Sequence, residues 1–236
     1  MKRFEPISRR HFLSGTGLAA MSLLAGLPMI SARAQTKTPF EPDLALELTA
    51  RVRKLALRAG SATTVWSYDA KVLKGDPASV LAHADSTLGP TLRVRRGQKL
   101  RIDFINAIDQ PSIVNWHGLH VPADMMGLPR YEVAPGKRYR YEFQVDDRAG
   151  TYWYHAMTAG HTPEQVYFGL AGLLIVSDDD EAALPLPRGE YDVPIVIQDR
   201  TWGRDGQLHY LPGTGPTASQ GQPADGGSPS RGGMMG

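Results

Sequence analysis

The sequence contains no cysteine. That absence excludes a disulfide framework, a Cys-ligated zinc site and a thiol nucleophile. It also excludes a blue-copper centre, which is built on a Cys thiolate beside two histidines. Any metal must therefore sit on His, Met, carboxylate or amide groups. An excess of one charge sign is missing as well, because 26 Lys+Arg against 24 Asp+Glu leave a formal net charge of only +2. No long-range field favours nucleic acid or an anionic membrane, and nucleic acid is not an expected partner. Neither a G-x-S-x-G elbow nor a phosphate-binding loop occurs.

Long apolar runs are also scarce. The one at the N-terminus extends from about Leu18 to Ile30 and is broken by Gly26 and Pro28. It is short for a spanning helix, so no permanent membrane anchor is expected. Ser8-Arg9-Arg10-His11-Phe12-Leu13 precedes it and Ala32-Arg33-Ala34 follows it. Paired arginines, an apolar stretch and a small-residue cleavage signal predict a twin-arginine signal peptide over residues 1–34, and hence export to the periplasm.

With 236 residues the chain has room for one sizeable domain plus tails. After a short extension at 35–43, apolar residues alternate at Leu44-x-Leu46-x-Leu48, Leu92-x-Val94, Leu100-x-Ile102-x-Phe104 and Tyr139-x-Tyr141-x-Phe143-x-Val145. Period-two alternation marks strands with one buried face. Arg95-Arg96-Gly97-Gln98 reads as a turn between two of them, and Thr151–His155, Leu170–Val176 and Val193–Gln198 are further β-rich runs. No long helical period with caps is present. The expectation is an all-β, Greek-key β-sandwich over residues 44–211. From Pro212 to Gly236 the chain turns to Gly, Pro, Ser, Gln and Thr and reads as a disordered tail or linker.

Chemistry-bearing residues concentrate in Asn115-Trp116-His117-Gly118-Leu119-His120 and in Gly150-Thr151-Tyr152-Trp153-Tyr154-His155-Ala156-Met157. Residues i and i+2 of a strand share a face, so Asn115 points with His117, and His155 with Met157. Brought together, the two pairs would line one polar pocket.

These segments resemble the first plastocyanin-like (cupredoxin) domain of multicopper oxidases. The resemblance runs in order through Gly89-Pro90-Thr91-Leu92-Arg93-Val94, Trp116-His117-Gly118-Leu119-His120-Val121-Pro122, Ala149-Gly150-Thr151-Tyr152-Trp153-Tyr154-His155 and Gln165–Val176, and covers about residues 44–210. It implies a cupredoxin-type sandwich and a family activity of copper-dependent oxidation, with dioxygen as acceptor, of phenolic substrates or metal ions. It also implies that the first motif is His-x-His-Gly and the second His-x-His, each supplying ligands to a trinuclear copper cluster, with the remaining ligands and the blue-copper Cys coming from a third domain.

The sequence departs from that pattern at the ligands themselves. Asn115 stands where the first histidine belongs, Met157 where the partner of His155 belongs, and Ala159 where a further histidine often follows. An amide is a poor copper ligand beside imidazole, and a thioether favours Cu(I). Half of the first-domain ligands are absent, so oxygen reduction by this polypeptide alone is not expected. The close at Met234-Met235-Gly236 is similar to the family's approach to a second domain, as in a fragment or shortened gene.

For His117, His155 and Met157 two readings stand: a residual copper site holding a single Cu(I), or two histidines hydrogen-bonded inside a retained fold. Trp116, His120 and Trp153 are expected to surround them, while Met125-Met126 reads as a loop and Asp178-Asp179-Asp180-Glu181 as a solvated turn. At the level of the protein three roles remain open. The domain works within a larger oxidase or beside another cupredoxin chain, it is a metal-free interaction module, or it carries Cu(I) in the periplasm.

Overall fold

The computed structural model describes residues 39–211 and Gly215. The leader read at 1–34 lies outside the described residues, as does the tail read at 212–236 apart from Gly215. Nine strands form two sheets. The first sheet has the order β2 (Thr63–Lys74), β1 (Leu44–Leu55), β5 (Lys99–Ala107), β7 (Arg138–Gln144). The second has the order β3 (Val80–Leu81), β4 (Thr91–Arg95), β9 (Ala171–Ser177), β8 (Gly150–Ala156), β6 (Val114–His117). β1 runs parallel to β5 and β4 parallel to β9, while the other neighbours are antiparallel. Parallel neighbours distant in sequence mean that the chain crosses repeatedly between sheets, as a Greek-key sandwich requires.

Alternation sets which residues fill the space between the sheets. Leu44, Leu46 and Leu48 of β1, Leu100, Ile102 and Phe104 of β5, and Tyr141 and Phe143 of β7 are buried. Arg101, Asp103 and Arg140, at alternate positions, pair on the other face, with Arg101 bound to Glu142 and Arg140 to Asp103. An aromatic group closes the core below the second sheet. The Trp116 ring meets Tyr141 edge-on at 5.2 Å and lies 5.7 Å from both Phe143 and Tyr154. The turn between β4 and β5 is made by Gly97, whose φ of 86° lies in the left-handed region that disfavours side chains.

Three elements differ from the sequence expectation. β2 carries Val65, Trp66, Ser67 and Tyr68 all buried, so it shows no alternation. A helix, α1 (Thr162–Phe168), packs against it, with Phe168 edge-on to Trp66 at 5.5 Å. Asp178 is no solvated turn residue. Its carboxylate caps α2 (Asp179–Ala182) by accepting from Glu181 N at 2.7 Å and also accepts from Ala149 N at 2.8 Å. Val193–Gln198 forms no strand, and among the described residues none gives its backbone a ladder partner. Among the described residues no helix is long and apolar enough to cross a membrane.

Candidate metal centre

The candidate residues meet where the edge strand β6 lies against β8. The register pairs Asn115 with His155, Trp116 with Tyr154 and His117 with Trp153. Directly opposed residues of an antiparallel pair share a face, so Asn115, His117, Trp153 and His155 emerge together on the side away from the core. Trp116, at the alternate position, is fully buried among aromatics and reaches this face only through the backbone of β6.

The local fold holds β6 in place at its N-terminal end. Tyr141 reaches across the core, its hydroxyl accepting from Val114 N at 3.1 Å and donating to Val114 O at 2.9 Å. Gln165 of α1 is a fully buried hub. Its Oε1 accepts from Ser112 Oγ and Thr158 Oγ1, and its Nε2 donates to Gln110 Oε1 and Pro111 O. It thereby ties the approach to β6 to the segment just after Met157, which orients both candidate strands.

Between the histidines the geometry is specific. His155 Nδ1 lies 2.8 Å from Ala156 O, a pure acceptor, so this nitrogen carries the proton. His155 Nε2 is then unprotonated and accepts from His117 Nδ1 at 3.1 Å. His117 in turn keeps Nε2 as its lone-pair nitrogen. The two tautomers are assigned from these partners. Burial pushes the His155 imidazole below its ordinary pKa, the bond to Ala156 O works against this, and His117 adds to the lowering. Trp153 stacks on His155 with centroids 4.1 Å apart and an interplanar angle of 25°, and lies 5.0 Å from the His117 ring. It thus touches both imidazoles directly, while its own outer face remains exposed.

Asn115 and Met157 behave differently. Asn115 is buried and donates from Nδ2 to Met126 O at 2.8 Å, so its amide is engaged with the Met125–Met126 loop and not with the histidines. Met157 lies one residue past the end of β8, half-buried, its N–H donating to Ile113 O at 3.0 Å. Met125 packs inward too, its sulfur accepting from Glu142 N. His120 does not join the pair: its ring is exposed and its Nδ1 lies 2.5 Å from Asp147 Oδ1. His161 precedes α1 and pairs with Glu164 at 3.1 Å, and His83 bonds Thr91 Oγ1 at 3.0 Å. The carbonyls of Ala156 and Met126, which decide the tautomer of His155 and the direction of Asn115, have no side-chain signal in the sequence.

The donor set does not fit a multi-copper cluster. Among the described residues no group of three or more His, Asp or Glu side chains is gathered for a metal. Two imidazole nitrogens do converge. Ligands bound at about 2.0 Å with a tetrahedral angle lie about 3.3 Å apart, close to the 3.1 Å seen between His117 Nδ1 and His155 Nε2. The pair could therefore supply two ligands to one ion if the shared proton were displaced.

The multicopper oxidase family profile matches residues 64–181. The chain is 38% identical over 129 residues to the multicopper oxidase mco of Staphylococcus aureus, covering 55% of this chain and 29% of that protein. It is 32% identical over 212 residues to the cell division protein FtsP of Escherichia coli strain K12, covering 89% of this chain and 43% of that protein. The crystal structure of the McoA multicopper oxidase from Aquifex aeolicus superposes with a TM-score of 0.60 at 34% identity, over 73% of this chain and 36% of that one. The chain spans less than half the length of each of these relatives.

Proposed function

Because the chain belongs to the multicopper oxidase family, we propose that it is a periplasmic cupredoxin module, exported by the twin-arginine route, that performs no oxygen reduction by itself and acts beside a further cupredoxin domain or chain. The observation that carries this reading is the closed His117–His155 bond. Both imidazoles spend a nitrogen on each other, the opposing Asn115 amide is turned to Met126 O, and among the described residues no third His, Asp or Glu joins them. Four-electron chemistry needs several metal ions with defined ligands. This domain offers ligands for one ion at most. That the matched part covers only 29% and 43% of these relatives supports a neighbouring domain or chain.

A second reading is favoured by the convergence of the two nitrogens: His117 and His155, with Met157 supplying a soft thioether, would hold a single Cu(I). Bound copper would supply a redox-active, soft Lewis acid at the open end of β6.

The experiment that separates these readings is metal analysis and copper titration of the protein recovered from the periplasm, under reducing and oxidising conditions. The non-oxidase module predicts a folded protein without oxygen consumption, with no stoichiometric copper in either state. One Cu(I) per chain, lost when His117 and His155 are both replaced by Ala, would establish the second reading. Dioxygen consumption by the purified chain would overturn both.

A further inference from the structure

Trp153 belongs to the inner strand β8, opposite His117 of β6 on one side and Leu173 of β9 on the other. His155 follows two residues later in the same strand and on the same face. A residue laddered on both sides is held in place by two neighbours, so the indole is fixed against the two imidazoles instead of hanging from a loop. It stacks on His155 with an interplanar angle of 25° and leans over His117 at 37°.

The three ring centroids form a triangle with sides of 4.1 Å from Trp153 to His155, 5.0 Å from Trp153 to His117 and 5.3 Å between the imidazoles. The point midway between the imidazoles is therefore roughly 4 Å from the indole centroid, inside the reach of about 6 Å over which an aromatic face attracts a cation. Indole offers the strongest such face among the side chains. An ion shared by His117 Nδ1 and His155 Nε2 would sit close to that point, because the two nitrogens are only 3.1 Å apart. The protons allow this. His155 keeps its proton on Nδ1 toward Ala156 O and presents a free Nε2. The His117 ring is exposed, so its proton can pass through water from Nδ1 to Nε2, which frees Nδ1 as a ligand with no net proton lost.

We propose that Trp153 is the third partner of a single Cu(I) at His117 and His155, its π face capping the ion and selecting Cu(I) over Cu(II). This rests on the single-copper reading of the site. Cu(II) takes a tetragonal set of nitrogen and oxygen donors. An indole over one side of the pair offers no such donor and keeps water from that side, whereas Cu(I) accepts soft partners. Trp116, the other tryptophan of these two strands, takes no part, because its ring lies on the core side.

The test is an anaerobic titration of the purified full chain with Cu(I) against a Cu(I) chelator, and a parallel titration with Cu(II), read by affinity and by tryptophan emission. One equivalent of Cu(I) should quench part of the emission, and that quenching should be absent from Trp153→Leu. Cu(I) affinity should fall about fivefold in Trp153→Leu and by less in Trp153→Phe, which keeps a weaker face, while Cu(II) affinity does not fall. Both variants alter an exposed ring outside the core, and thermal melts separate lost capping from lost folding. Equal Cu(I) affinity in the native, Phe and Leu chains overturns the cap and leaves the two-histidine site standing. A loss in Trp153→Phe as large as in Trp153→Leu, or an equal fall for Cu(II), also overturns it, because packing around the imidazoles would then be the cause. A native chain that binds no Cu(I) overturns the cap together with the single-copper reading.

Discussion

Asn115 and His155 stand directly opposite one another across the β6–β8 ladder, yet the Asn115 amide donates away from the imidazole to Met126 O. A histidine at 115 would begin on the same face as His117 and His155, with its imidazole free of the amide's second donor. Position 115 therefore faces the two imidazoles while its amide is spent elsewhere. Replacing Asn115 and Met157 together by His should raise copper affinity at least about tenfold over the native chain, the effect of one added imidazole ligand being well above 1.4 kcal/mol. Competition titration against a copper chelator measures it. Unchanged affinity would show that the two strand ends do not gather their side chains around one ion.

Gly127 sets the position of the loop that takes the Asn115 amide. Its φ is +75°, and a Cβ there would lie 1.7 Å from Val114 O, which belongs to the backbone of β6 and cannot rotate aside. Gly127→Ala should destabilise the protein by roughly 3 kcal/mol or more, combining left-handed strain with a backbone clash. Denaturant unfolding checks the loss. A cost below about 1 kcal/mol would mean that the loop moves off β6 without penalty.

Asp103 and Arg140 form a two-point pair on the outer face of the first sheet, at 2.7 and 3.0 Å. The hydrogen bond from Arg140 holds the Asp103 carboxyl below its usual range, partial burial opposes this, and the neighbouring arginines add to the lowering. A depressed folded-state pKa means that the unfolded chain binds the proton more readily. The pair's contribution is then present above the unfolded value of about 3.9 and is lost as pH falls through the lower folded value. Because Arg140 is exposed, the coupling should be about 0.5–1 kcal/mol. Thermal melts of the native chain and Asp103→Asn should differ by a constant amount above pH 5 and converge below pH 4. A gap that persists under acid conditions would assign the effect to packing instead of charge.

Much of the sandwich was legible because one-sided strands write a period of two into the sequence. β5 and β7 show it along their length and β1 from Leu46 to Ala50. β2 escaped that signal because both its faces are buried, Trp66 and Tyr68 on the side toward the core and Val65 and Ser67 on the other. Residues 193–197 show the converse. Their β-rich composition is sound, but composition encodes the capacity to pair and not the presence of a neighbour. At the site, the shared face of Asn115 and His117 follows from local geometry alone. The His117–His155 bond does not, since it depends on the register between strands 38 residues apart and on the carbonyl of Ala156.

The two tryptophans of the motif segments offer a direct check on which face is which. Trp116 is buried among Tyr141, Phe143 and Tyr154, whereas Trp153 covers the imidazoles with one face and meets solvent with the other. Trp116→Ala should cost about 3–5 kcal/mol, the range for deleting a large core aromatic. Trp153→Ala should cost about 1 kcal/mol or less, as a half-exposed ring offers little area to lose. It should nevertheless shift the carbon-bound proton resonances of His155 downfield, because the ring stacked 4.1 Å above that imidazole is gone. Equal destabilisation by both replacements, or an unmoved His155 spectrum in Trp153→Ala, would mean that β6 and β8 present their opposite faces to the core.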